Sequence, residues 1–178
     1  KTAEELELMR ISGRLLASVF EMLDTLDLTG LSTMQINDLV ERFISEDCAA
    51  RPASKGQYGY EYVLNCSINE VVCHGVPSDE VIVQDGDIIN LDITLEKNGF
   101  IADSSKTYLV GNVSPQGRRI ARVAQDAMWH HRTRGCGRGF DAFATQDRCA
   151  GSHDDRRRWS DRVGLAVRAD ERGAAGRS

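Results

Sequence analysis

From Leu8 onward, apolar residues recur every three or four positions (Leu8, Ile11, Leu15, Val19, Met22, Leu26). That is the spacing of one face of an α-helix. Thr2 and Glu5 stand three residues apart ahead of this run, a capping box in which hydroxyl and carboxylate each satisfy an orphan backbone donor. The pattern predicts a long amphipathic helix over residues 3–26, with Gly30 as its stop signal. Ser32 and Gln35 repeat the capping signal, and Ile36, Leu39, Val40 and Phe43 predict a second helix ending near Glu46. Beyond about Tyr58 the pattern changes to short β-rich runs: Tyr62–Ile68, Val81–Val83, Ile88–Leu95, Phe100–Ala102 and Lys106–Val110. Turn signals separate them at Pro77-Ser78-Asp79, Asp85-Gly86-Asp87 and Asn98-Gly99. Pro115 opens a third predicted helix to Trp129, with Ile120, Val123 and Ala127 along one side. Helix, helix, antiparallel strands and helix make an α+β layout.

Composition adds a boundary to this picture. A chain of 178 residues with 41% apolar and 28% charged residues suits one folded domain. No run approaches the roughly 18 apolar residues of a membrane span, and no basic stretch feeding an apolar one marks a secretory signal. Five cysteines without a CxxC pair point to reduced thiols and a cytoplasmic setting rather than a disulfide framework. Residues 1–130 hold 11 basic and 20 acidic residues, whereas residues 131–178 hold 11 arginines, no lysine and 7 acids. The large aliphatics of the later segment are Val163, Leu165 and Val167, too few to offset the entropy of ordering it. Two regions are therefore expected: a folding unit over 1–130 and an Arg/Gly/Ala-rich, disordered tail over 131–178. The tail's composition is also what GC-rich coding sequence gives in a shifted frame. Arg156-Arg157-Arg158 could touch RNA or a ribosomal surface, but Asp154, Asp155 and Asp161 are interleaved and no aromatic ladder accompanies them. No specific nucleic-acid partner is expected.

Two aspartates sit oddly in the β region. Asp92 interrupts the apolar run Ile88–Thr94, and Asp103 follows Phe100-Ile101-Ala102. A two-residue turn at Asn98-Gly99 would set Asp103 opposite Thr94, which shares a face with Asp92. The two carboxylates become diagonal neighbours within reach of one ion, and a one-residue slip would send them to opposite faces. Two anions so placed call for a cation, a proton or an arginine. A dinuclear metal site answers that need, and the other arrangement open on spacing is one solvated and one turn-capping aspartate. His74, within Asn69-Glu70-Val71-Val72-Cys73-His74-Gly75-Val76-Pro77, reads either as a surface-loop residue or as an imidazole that hydrogen-bonds a substrate carbonyl or amide. Cys66 and Cys73 read as small buried fillers, because no base is identifiable for either.

The stretches Asn69–Pro77 (NEVVCHGVP), Asp85–Asp92 (DGDIINLD) and Gly99–Lys106 (GFIADSSK), in this order and at these separations, closely resemble the N-terminal half of the type I methionine aminopeptidases. The resemblance covers about residues 1–130. It implies half of a pita-bread (creatinase/aminopeptidase-like) fold, an antiparallel sheet with covering helices. It implies that Asp92 is a bidentate ligand of one metal and that Asp103 bridges two. His74 would contact the scissile region of the substrate, and Tyr60 would line the methionine pocket. Two divalent ions (cobalt, manganese, iron or zinc) would be the cofactors. The partners would be nascent peptides beginning with Met, close to the ribosome and away from any membrane, and the reaction would be hydrolysis of their first peptide bond.

The family completes its site from its C-terminal half, with a histidine in a Gly-His-Gly motif and two glutamates. After Asp103 this chain has one glutamate, Glu171, and none of His130, His131 and His153 has glycine on both sides. That departure opens an alternative of a different class, a non-catalytic binding protein retaining the half-fold. A proline-directed peptidase of the same fold is disfavoured by the NEVVCHG stretch.

Overall fold

The computed structural model of the chain describes residues 1–135. Helix α1 spans Ala3–Asp24 and begins with the expected capping box, Glu5 N donating to Thr2 Oγ1 at 3.2 Å and Thr2 N to Glu5 Oε2 at 2.8 Å. Helix α2 spans Thr33–Arg42 behind the reciprocal Ser32–Gln35 cap. It then widens into a π-turn over Phe43–Asp47, so the α-helical part stops short of Glu46.

Four strands follow: β1 (Arg51–Pro52), β2 (Leu64–Ile68), β3 (Ile88–Lys97) and β4 (Phe100–Leu109). All pair antiparallel around β3, which has β4 along one side and β2 followed by β1 along the other. Strand β3 shows why this sheet has two unlike faces. Ile89, Leu91, Ile93 and Leu95 are fully buried and share one core with Val19, Phe20 and Leu23 of α1 and Ile36 and Val40 of α2. The alternate residues Asn90, Asp92, Thr94 and Glu96 fall on the opposite face. One face is therefore sealed by helices, and the other is polar.

Two polar contacts fix α1 against the hairpin. Ser12, fully buried, donates from Oγ to the Phe100 carbonyl at 2.8 Å. Lys106 projects to the helix face beneath β4, where its ammonium pairs with Asp24 at the C-terminal end of α1 and stands 4.8 Å from the Tyr108 ring centroid. The pair is almost wholly out of water on the lysine side. Such a pair is costly to break by halves, because the surviving charge stays buried.

The strand pattern departs from the sequence expectation in three places. Val81–Val83 forms no sheet strand. It runs beside the α1–α2 connection through an isolated bridge, Ser32 with Ile82, and through Val83 N donating to Leu31 O at 2.9 Å. Phe100–Ala102 and Lys106–Val110 join into one strand, because Asp103, Ser104 and Ser105 pair with Thr94, Ile93 and Asp92, and the ladder overrides their weak strand preference. The two-residue β1 carries no alternation that would have revealed it.

The third helix, α3, spans Pro115–Gly135, beyond the expected end at Trp129 and past the boundary at 130. Ala121 is buried while Ile120 and Val123 are exposed, so the side expected from their spacing is not covered by the described residues. The tail expected to be disordered lies, from residue 136, outside the described residues.

Leu91 sits at the centre of the core face, fully buried between Cys66 and Lys106 of the neighbouring strands. Leu91→Ala is expected to cost about 2–5 kcal/mol, read as a lower urea midpoint by circular dichroism. A change below about 0.5 kcal/mol, the range of neutral surface substitutions, would contradict the placement of the core.

Candidate active site

The carboxylate pair comes from the turn that joins β3 to β4. Asn98 (φ +54°) and Gly99 (φ +79°) both take the left-handed conformation that a tight two-residue hairpin requires. The resulting register sets Lys97 against Phe100, Thr94 against Asp103 and Asp92 against Ser105. Asp92 and Asp103 are thus diagonal neighbours on the polar face, as the spacing predicts. They are near enough for their side chains to interact directly.

Strand β2 adds a neutral neighbour. Asn65 pairs with Asp92 across the ladder, and its Nδ2 donates to Asp92 Oδ2 at 3.5 Å, a long contact. Sequence reasoning does not single out Asn65. Its signal is the alternation in Leu64-Asn65-Cys66-Ser67, which turns Asn65 and Ser67 to the polar face and buries Cys66.

Burial holds the Asp92 carboxyl above the usual carboxylate range, and Asp103 pushes it the same way. The Asn65 amide and the charge of His74 pull it back without cancelling the rise. Among the described residues, no lysine or arginine takes part in this balance. Two carboxylates with weak internal compensation are the donor chemistry that suits a divalent cation. Among the described residues, however, no group of three or more His, Cys, Asp and Glu side chains is arranged to hold a metal.

His74 lies on an exposed loop and is left-handed at φ +53°. It is close enough for its charge to act on Asp92. Tyr60, half-buried, donates from its hydroxyl to the Leu64 carbonyl at 2.8 Å. Its ring meets that of Tyr62 edge-on, with centroids 5.5 Å apart. Burial, followed by Tyr62, Cys66 and Asp92, pushes the Tyr60 hydroxyl up to about 12. The structure therefore gathers Asp92, Asp103, His74 and Tyr60 toward one side of the sheet. Cys66 is buried as expected, its thiol pushed up to about 12 by burial. Cys73 is instead exposed, because it sits in the protruding loop rather than on the strand.

Residues 7–135 match the model of metallopeptidase family M24. The chain belongs to this family. Over 129 residues it is 40% identical to the methionine aminopeptidase of Escherichia coli strain K12, a match covering 72% of this chain and 49% of that protein. The methionine aminopeptidase of Buchnera aphidicola subsp. Schizaphis graminum is 36% identical over the same length, with the same coverage.

Among solved structures, the methionine aminopeptidase of Rickettsia prowazekii superposes with a TM-score of 0.69 at 34% identity, covering 72% of this chain and 51% of that one. That of Thermotoga maritima gives 0.69 at 29% identity, covering 73% and 52%. An Xaa-Pro dipeptidase from Bacillus anthracis, at 20% identity and a TM-score of 0.61 over 72% of this chain and 34% of its own, shares the fold alone. The expected resemblance is borne out, and the sheet with its covering helices is part of the pita-bread fold of these metallopeptidases. The M24 chain spans about half the length of the curated relatives it matches.

The raised Asp92 carboxyl carries a sign for stability. Below the unfolded-state range both states are protonated, and stability is lost as pH rises through the raised native value, because the folded site resists ionisation. Asp92→Asn removes that loss. Its thermal midpoint is expected above the parent's at pH 7, with the two converging below about pH 3. Equal midpoints at both pH values would mean that the carboxylate is fully compensated in the fold.

Proposed function

We propose that the Asp92–Asp103 pair is the carboxylate half of a metal centre that removes the initiator methionine from nascent proteins. The single observation carrying this reading is the diagonal pair on the polar face, with Asp92 held above its ordinary range and only partly offset by Asn65 and His74. Membership of a metallopeptidase family supports it, as do the methionine aminopeptidases among the chain's relatives.

In this reading Asp92 and Asp103 hold one or two divalent ions of the cobalt, manganese, iron or zinc class. When bound, such ions polarise a carbonyl and lower the pKa of water. The remaining work falls to the chain's own residues. His74, on the loop beside Asp92, is placed to hydrogen-bond the peptide group being cut. The Tyr60 hydroxyl is committed to the Leu64 carbonyl, so its ring contributes an apolar wall, with Tyr62 behind it. An aromatic wall suits a thioether side chain. The substrate would be a nascent peptide beginning with Met, met in the cytoplasm close to the ribosome. Among the described residues no helix is long and apolar enough to cross a membrane.

A second reading follows from one specific observation: no third metal-ligating side chain completes the pair among the described residues. A binding protein that keeps the half-fold and recognises peptide N-termini without cutting them would look like this. Hydrolysis of a Met-Ala-Ser peptide by the mass-verified 178-residue chain, with manganese or cobalt added, separates the two. The enzymatic reading expects turnover that Asp92→Ala and Asp103→Ala each lower at least about a hundredfold, the scale of losing a metal's contribution to the barrier. Absence of turnover in the unmodified chain, with metal binding retained, would favour the binding protein. Turnover unchanged by Asp92→Ala would come from a contaminant and sink the enzymatic reading.

A further inference from the structure

The loop that carries His74 leaves β2 after Ile68 and is pinned at several points. At its start, the Asn69 side chain accepts from Ile88 N at 3.0 Å and donates to Asp87 Oδ1 at 2.8 Å. At its end, Ser78 N donates to Thr33 Oγ1 at 2.8 Å. Between these anchors the residues of the tip are exposed, Val72 at 93%. One inner contact sits directly beside His74. Gly75 N donates to Ser67 Oγ at 3.1 Å, while Cys66 N donates to the Gly75 carbonyl at 2.8 Å.

The fit at Gly75 is so close that a Cβ there would stand 2.1 Å from the Cys66 carbonyl oxygen. The loop backbone therefore lies flat against β2 at this point. The residue before it, His74, holds φ at +53°, a conformation that costs a non-glycine residue about 1 kcal/mol or more unless its surroundings enforce it. Ser67 is 95% buried, a polar residue whose exposure is 5%. It lies on the polar face of β2, opposite Asn90 and two residues from Asn65.

We infer that Ser67 is a positioning residue: through the Gly75 amide, its hydroxyl holds His74 in the left-handed conformation that directs this residue toward the carboxylate pair. Two bonds in opposite senses, Gly75 to Ser67 and Cys66 to Gly75, clamp one peptide unit on each side. The clamp fixes the peptide that follows His74, and the turn closed by Val71 N donating to Ile68 O at 3.0 Å limits how the chain enters from the other side. The buried hydroxyl is thereby explained as an acceptor that the loop requires. The inference deepens the reading of His74 as a group acting on the peptide and rests on it for its purpose, but its geometry is testable without metal or substrate.

The test is solution NMR on the full chain. A positive φ brings a residue's own amide and α protons close, giving His74 a strong intraresidue cross-peak. In the unmodified chain this peak is expected, and the Gly75 amide is expected to exchange with solvent at least about tenfold more slowly than the Cys73 amide, the effect of one retained hydrogen bond. Ser67→Ala is expected to weaken the His74 cross-peak and speed Gly75 exchange about tenfold, leaving the Leu91 and Ile93 amides protected. Ser67→Thr, which keeps the hydroxyl, is expected to preserve both signatures.

An unprotected Gly75 amide in the unmodified chain would overturn the inference with no variant needed. So would a His74 signature unmoved by Ser67→Ala, or a Ser67→Thr variant that behaves like Ser67→Ala. Added manganese separates this question from the function. Broadening of the Asn65 and Thr94 amides reports an ion on the carboxylates. Its absence would count against the metal reading while leaving the Ser67 result intact.

Discussion

Everything at the polar face depends on the register of one hairpin. Asn98 and Gly99 together supply the two positive φ angles of its turn, and the ladder that follows runs unbroken from Lys97–Phe100 to Ile88–Leu109. The apolar alternation of β3 enforces the same register from the other side, since Ile89, Leu91, Ile93 and Leu95 must all be turned to α1 and α2. Turn chemistry and burial thus select the same pairing independently. The aspartates carry none of the folding energy that fixes their position. They occupy places on the ladder that the buried face has already decided.

This separation explains how an unfavourable pair persists. The core under the sheet contributes apolar burial from three layers of contact: α1, α2 and the inner face of the strands. Against that, two neighbouring carboxylates with weak compensation are a modest local penalty. Sites that carry out chemistry or bind ions are commonly less stable than inert substitutes would be. The raised Asp92 carboxyl is a local cost of the same kind, and it lies on the strand whose other face is fully buried.

Legibility in the sequence followed the range of the interactions. Both capping boxes were readable because Thr2–Glu5 and Ser32–Gln35 are local. The hairpin was readable because Asn-Gly sets its register without outside help, and with it the Asp92–Asp103 pair. What escaped depended on partners far along the chain. Val81–Val83 has a strand's composition but no strand to join, since the α1–α2 connection occupies its backbone groups. Ser104 and Ser105 have weak strand preference and fall between two expected strands, yet their pairing with β3 makes them strand. Asn65 and Ser67 show no chemical oddity until β2 is laid against β3 and the loop folds back across it. His74 was legible through motif resemblance, whereas its left-handed backbone and the glycine packed behind it were not.

The buried pair of Lys106 and Asp24 has a bearing on the opposite side of the sheet. Lys106 is one strand position from Ser105, the direct partner of Asp92. Were β4 to slide by a single residue, its ammonium would swing through to the polar face near Asp92, while Asp103 on the same strand would be turned under toward the helices. The slip would thus break the acidic pair and press a lone carboxylate against the apolar core. By anchoring that ammonium beneath the sheet, Asp24 acts as a latch on the register: a slipped β4 would also leave the Asp24 carboxylate without its partner.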